Sequence, residues 1–389
     1  IRGMYERYNT ILLDNLIAPS TEPESRTFDL EVLPAGLLSQ ILVYKTAHAA
    51  YPADFGGGIV LLRLKEPSEK ATFSVQMRTA YLLGTTFEPG LSGPTYAQDY
   101  YGGVAPERAL PAGFPNDLGA LSASEAQRWM QALPQPYQTR RISALPPQSN
   151  LTLTTTQPMG KRLWSLSTLS YGRNFQNLTV QRYRYERRYD TPGLNPLLFA
   201  FEDQQTTQNY RLTLAQRFSF LPASRHRIDF TALLLRLAEQ ETIIRTGYSY
   251  YQRSDAQYRN YSLQYLSRTL GLFQLSGSHR ISEETSVSWQ GGYTMSLREE
   301  PDFQRIRTVR EPGDSLYRII VPPGATTFDA ARFYSRLRQQ GIAANAQVQT
   351  VFWGIQWHAG LQGDYRYRTF SARWFSYVLP VSAGSFLQG

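Results

Sequence analysis

From residue 71 onward the chain alternates between apolar and polar side chains. In "FSVQMRTAYLL", Phe73, Val75, Met77, Tyr81 and Leu83 share one face with Thr79, while Ser74, Gln76 and Arg78 share the other. "SVSWQGGYTMSLR" sets Val287, Trp289, Tyr293, Met295 and Leu297 against Ser288, Gln290, Gly292, Thr294, Ser296 and Arg298. "YRLTLAQRFSF" sets Tyr210, Leu212, Leu214, Phe218 and Phe220 against Arg211, Thr213, Arg217 and Ser219. "VFWGIQWHA" reads as one strand with Val351, Trp353, Ile355 and Trp357 on a single face. Period two is the geometry of a strand with two unlike faces. The pattern predicts nine strands, over 71–84, 148–157, 161–175, 207–221, 226–245, 258–280, 285–298, 345–361 and 364–379. They run to about 12–18 residues, where ordinary strands have about 5–6. A tilted strand crossing a bilayer needs about 9–11, which leaves an extension beyond it.

The predicted connections alternate in length. Those over 85–147, 176–206, 246–257 and 299–344 are long, and those around "PMGK", "LPASR", "ISEET" and "LQGD" span only a few residues. Long loops on one side and short turns on the other are the pattern of an outer-membrane barrel. A soluble antiparallel sandwich or propeller has no reason to keep that parity, and its outward aromatics would form patches larger than soluble proteins tolerate. Tyr248, Tyr250, Tyr251, Tyr258 and Tyr261 gather at strand ends, as an interfacial girdle does. The fold class is therefore mainly β: an antiparallel transmembrane β-barrel over residues 71–389. Nine strands leave two open edges, which lipid does not satisfy, so the sequence is expected to be a piece of a larger barrel.

Composition sharpens this picture. The net charge is +9, but residues 1–70 hold seven bases and nine acids and so carry −2, leaving +11 for the rest. The two parts are physically different. No apolar run approaches the 18 or so residues of a spanning helix, and "TALLLRLA" is broken by Arg236. With no cysteine, disulfides and thiolate metal sites are excluded.

Residues 1–70 read as a small α/β domain. Ile11 to Leu13 is strand-like, Asp14-Asn15 is a turn pair, Pro34 opens a short helix through Gln40, and Ile41 to Tyr44 is a buried strand. The run "RGMYERYNTILLDNLIAPSTEPESR…LPAGLLSQILVYKT…YPADFGGGIVLLRLK" resembles the plug of TonB-dependent outer-membrane receptors, in particular the type common in Bacteroidetes. A weaker similarity continues through "YYGG", "PERALP" and the helix-like "SASEAQRWMQAL". Asp14-Asn15 stands where many relatives have Asn-Gly, which suggests a less tight turn. The resemblance implies a plug domain over 1–70 followed by the first part of a barrel that totals 22 strands. It implies a receptor and active transporter in the cell outer membrane, taking up a scarce ligand such as a ferric chelate, cobalamin, glycan or peptide. It also implies an energy-coupling partner of the TonB type from the inner membrane, whose contact segment would lie upstream of residue 1. Outer-membrane lipid and lipopolysaccharide surround such a barrel. A passive porin-like or structural barrel is the alternative, and the plug-like segment speaks against it.

Candidate chemistry is sparse. His48, His226, His279 and His358 are widely spaced, none at metal-ligand spacing, and no Gly-x-Ser-x-Gly elbow occurs. The reading therefore assigns no catalytic residue, metal or cofactor. Glu239 and Glu241 fall on one strand face as lumen carboxylates. Gly56, Gly57 and Gly58 precede a strand rather than a Gly-Lys-Ser/Thr helix start, so a phosphate loop is excluded. They are expected at the plug–barrel junction, where positive φ or close backbone approach is needed. "QRYRYERRYD" interleaves Arg182, Arg184, Arg187 and Arg188 with Tyr183, Tyr185 and Tyr189. It reads either as a cationic, aromatic funnel for an anionic ligand or as a strand extension beside lipopolysaccharide phosphates; nucleic acid is not expected. By the resemblance, the polar loop from Pro19 to Arg26, with Ser20, Glu22 and Glu24, faces outward and helps contact ligand.

Overall fold

The computed structural model describes residues 5, 8–23, 28, 30, 33–46, 51, 56–133, 138–186 and 197–379. Four strands form a small sheet: β1 (Asn9–Leu13), β2 (Leu16–Ile17), β3 (Leu38–Tyr44) and β4 (Gly58–Leu64), in the order β2-β1-β4-β3. β1 and β4 run parallel and are apolar on both faces. Leu12, Ile59 and Leu61 close one side with Ile17, Leu42, Tyr44 and Tyr51. Leu13, Leu16, Leu62 and Leu64 point the other way and meet a second sheet. Asp14 and Asn15 have φ of 46° and 68°, the two positive values of a type I′ hairpin. The turn is as tight as an Asn-Gly turn, contrary to the sequence reading. Two further expectations change. The expected helix is a 3-10 turn over Ala35–Leu37, because β3 already starts at Leu38. β3 is also the sheet's edge, so Ile41 and Val43 are exposed rather than buried.

The second sheet is the wall. After β5 (Thr72–Ala80) a long connection carries β6 (Gly90–Ser92), α1 (Ala123–Gln131) and β7 (Arg140–Ile142). Then follow β8 (Gln148–Pro158), β9 (Leu163–Tyr185), β10 (Leu197–Ala223), β11 (His226–Ser249), β12 (Arg253–Arg280) and β13 (Thr285–Arg310). The two-residue β14 (Arg318–Ile319) pairs at the side of β13, and β15 (Ala331–Phe352) and β16 (Ile355–Ser376) complete the row. The nine long strands are antiparallel neighbours in chain order, as expected; β5 and β16 are the two ends of the row. Among the described residues no helix is long and apolar enough to cross a membrane, which says nothing of strands.

Register separates the two faces. Leu233, Leu235, Leu270 and Leu272 face the small sheet. The opposite face, near the short turns 159–162, 224–225, 281–284 and 353–354, exposes Phe73, Met77, Leu169, Leu214, Phe230, Phe273, Leu275 and Ile342. This exposed apolar band covers roughly the 11 residues nearest the turns, the length a bilayer-crossing strand needs.

Several boundaries differ from the sequence reading, because β9, β10, β13 and β15 extend well past the predicted ends into the long connections. β11 and β12 continue to Ser249 and from Arg253, so the fifth connection is only 250–252. The last hairpin turns at Trp353 and Gly354, with φ of 56° and 71°, rather than at "LQGD". Val351 and Ile355 therefore lie on facing strands; the alternation had run straight through a two-residue turn that lacks Asn or Asp. Tyr258 is buried on the side that faces the small sheet, edge-on to Phe201 at 6.4 Å, and so is no part of the expected interfacial girdle.

The long connection folds back onto the face opposite the small sheet. Val104 packs on Tyr210, Ala238 and Tyr265. Gly102 has a φ of 74°, and a Cβ there would meet Arg236 Cγ at 2.8 Å, so glycine is needed twice over. α1 starts with a reciprocal Ser122–Glu125 capping box. Its Trp129 and Met130 join Phe114 and Leu133 against Tyr334 and Phe375. Two buried ion pairs lie on this face. Arg108 binds Asp99 and stacks over Tyr265 at 4.1 Å, and fully buried Arg332 binds Asp302 at 2.9 Å.

Candidate functional site: the domain seat and the cleft beyond it

The small domain is held on the wall by shape and by charge. Leu16 enters a notch at Gly292 of β13, where a Cβ would lie 2.2 Å from Leu16 Cδ1. A close approach at the seat is thus made by a wall glycine. Gly57 and Gly58 are buried inside the small sheet: the Gly56 and Gly57 amides donate to the Tyr8 carbonyl at 3.0 and 2.9 Å, and Gly58 stands beside Asn9.

Asp14 is the polar centre of the seat. Its carboxylate accepts from the Leu64 amide at 2.9 Å and from Arg217 Nη1 at 3.2 Å. Its carbonyl accepts from Gln274 and Gln290 side chains at 3.2 and 2.9 Å. Burial raises the Asp14 carboxyl above its usual range, with Arg217, the Leu64 amide and Arg63 pulling it only part of the way back. Glu66, in the link to β5, reaches Arg227 at 2.8 Å and Arg217 at 3.9 Å. The predicted loop residues lie higher on the wall. Ser20 is buried, its carbonyl accepting from Ser296 at 2.7 Å and its hydroxyl from the Glu22 amide at 3.1 Å. Glu22 lies 3.9 Å from Arg268, and its carbonyl accepts from Arg368 at 3.2 Å. Glu24 and Arg26 lie outside the described residues.

Beyond the seat, toward the strand ends away from the short turns, the same face holds a cleft of about 640 Å³. Arg184, Phe201, Glu241, Arg245, Arg305 and Arg307 line it. Arg182 adjoins it through Asp203, which it meets at 2.6 Å while Arg245 meets the same carboxylate at 2.6 and 2.9 Å. Burial would raise the Asp203 carboxyl, but the Arg245 and Arg182 hydrogen bonds outweigh it and hold it below the usual range. Glu241 behaves oppositely: burial, then the Glu239 charge, raise it. Arg305 stacks on Phe303 at 4.8 Å and on Phe328 at 5.7 Å. Tyr183 faces away from the cleft and is exposed; Arg187 and Arg188 lie outside the described residues.

Sequence reading missed Arg217, Arg227, Arg245, Arg305 and Arg307. Only "RIR" at 305–307 offered a local signal, two arginines on one strand face. The histidines are also less scattered than their spacing implies. His226 and His279 meet across β11 and β12 at 3.1 Å, and Trp289 Nε1 donates to His279 at 2.9 Å.

No family model matches the chain, and no curated protein matches its sequence. Solved structures do. The chain is similar to the RagAB peptide importer in its open-open state, with 11% identity, a TM-score of 0.39, and coverage of 91% of this chain and 50% of that one. It is similar to the outer-membrane transporter YddB from Escherichia coli, at 12% identity and a TM-score of 0.32, covering 97% and 48%. A third is the ferric citrate transporter FecA in its unliganded form, at 10% identity and a TM-score of 0.28, covering 96% and 53%. The chain spans about half the length of these structures.

Proposed function

We propose that the chain forms the plug and the first part of the wall of an outer-membrane receptor that takes up a scarce anionic ligand by active transport. One observation carries this reading: a folded domain sits on one face of a sheet whose other face bears an exposed apolar band about as wide as a membrane. A channel filled in this way does not conduct until the domain is displaced. Displacement would have to break the contacts of the Asp14 carboxylate, the hydrogen bonds of Gln274 and Gln290, and the leucine packing of the seat. Energy for displacement would come from an inner-membrane motor through a TonB-type coupling protein. The arginines and aromatic rings of the cleft suit a ligand bearing carboxylate or phosphate groups, such as a ferric chelate, an acidic glycan or an acidic peptide.

The test is uptake by cells carrying the full-length gene product, supplied with ferric chelates, cobalamin, oligosaccharides and peptides. Uptake that collapses when the proton gradient is dissipated supports the proposal and names the ligand class. Uptake that persists unchanged means a passive pore.

A further inference from the structure

The plug-facing side of the wall carries arginines at successive levels from the cleft down to the short turns. Arg245 and Arg305 line the cleft, Arg268 lies midway along β12, and Arg217 and Arg227 flank the turn between β10 and β11. The lower three share a feature: each meets an acid of the small domain or of the link that follows it. Arg268 faces Glu22 at 3.9 Å, Arg217 faces Asp14 at 3.2 Å, and Arg227 faces Glu66 at 2.8 Å. Acids of the wall itself lie close by. Asp229 also holds Arg227 at 2.8 Å, and Glu300 holds Arg298 at 3.2 Å. Even so, Arg268 and Arg298 stand directly opposite each other in register, a like-charge pair that is unfavourable unless an anion is near.

We propose that Arg268, Arg217 and Arg227 form a descending relay for an anionic cargo, and that Glu22, Asp14 and Glu66 occupy this relay while the channel is closed. The inference deepens the transport reading and rests on it. When the plug leaves, three guanidinium groups in a confined, low-dielectric wall lose carboxylate partners. A cargo carboxylate or phosphate then accepts hydrogen bonds from the same guanidinium groups, as anions do from arginine rings in anion-conducting pores. When the plug returns, its acids compete for the same cations and expel the cargo. Opening and release are then two sides of one exchange of anions on fixed arginines.

The experiment uses the full-length protein in planar bilayers, with graded urea to loosen the plug while the wall stays folded. The reversal potential under a potassium chloride gradient is then read, with inorganic phosphate as a competing anion. The relay predicts anion over cation preference of about tenfold and block of the chloride current by phosphate. Arg217→Gln with Arg227→Gln is expected to bring the preference close to unity and abolish the block, while Arg217→Lys keeps the sign. A conducting state that prefers cations, or one whose anion preference survives the double substitution, overturns the relay and leaves the plug reading standing. No conductance at any urea concentration that spares the wall overturns both. The wild-type reversal potential alone decides the sign if a variant fails to insert.

Discussion

Removing Arg217 should unseat the small domain, and removing the carboxylate it faces should reverse most of that damage. Asp14 and Arg217 side chains each retain 12% exposure, so the Asp14 carboxylate is largely out of water. Deleting one partner of a buried pair leaves an uncompensated charge, at a cost of about 3–5 kcal/mol. The residual exposure places Arg217→Ala at the low end, about 3 kcal/mol, or roughly 100-fold in the seating equilibrium. Asp14→Asn keeps an oxygen to accept from the Leu64 amide, leaves Arg217 near Glu66, and costs only about 1 kcal/mol, as for a weakened hydrogen bond. The double variant should therefore be more stable than Arg217→Ala alone. Hydrogen exchange of the full-length protein in detergent reads this directly. Amides of β1, β2 and β4 should exchange roughly 100-fold faster in Arg217→Ala, with the wall unchanged, and should regain most of their protection in the double variant. Protection that stays at the wild-type level in Arg217→Ala, or a double variant worse than either single one, would refute the buried-charge argument. The pH dependence has a fixed sign. Because the Asp14 carboxyl is raised on seating, the seated state holds its proton more tightly. Seating must weaken as pH climbs from 3.8 through that raised value, and Asp14→Asn must flatten the trend.

Three other outcomes follow from particular contacts. Gly292→Ala puts a Cβ 2.2 Å from Leu16 Cδ1, an overpacking worth about 1–3 kcal/mol; uptake and exchange protection should fall, and Leu16→Ala should restore them. Arg332→Met leaves Asp302 buried without its guanidinium and should cost about 3–5 kcal/mol of wall stability in a denaturant titration, whereas a loss below the measurement error would contradict the pairing. Glu241 gains its charge above the usual carboxylate range, so binding of an anion in the cleft should weaken as pH rises through that titration. A Glu241→Gln protein that keeps the same pH profile would exclude Glu241 as the cause.

Much of the fold could be read from the sequence because period two is a property of every strand on its own. The nine strands and most of the short turns follow from it. The errors arise where that local signal is silent. A two-residue turn at Trp353 and Gly354 leaves the alternation intact, so periodicity reads one strand across a hairpin. Ile41 and Val43 are apolar, and only their place at the sheet edge exposes them. The far side of the long connection is invisible to periodicity, because Val104, Phe114 and Leu133 find Tyr265, Tyr334 and Phe375 only in the fold. The functional surface was the least legible part. Arg217, Arg227, Arg245 and Arg305 come from four separate stretches, and register alone brings them to one face. "QRYRYERRYD" supplied one side of the cleft, through Arg184, but gave no hint of the others.

The central claim is that a seated domain must leave the wall for ligand to pass. Since the sequence has no cysteine, Leu16→Cys with Gly292→Cys, joined by a short thiol cross-linker that can be cleaved by reductant, tethers the domain at its seat. In energised cells, uptake should stop when the linker is in place and return when it is cleaved. Uptake undiminished by a complete tether would show that ligand passes with the domain in place, and the account would be wrong.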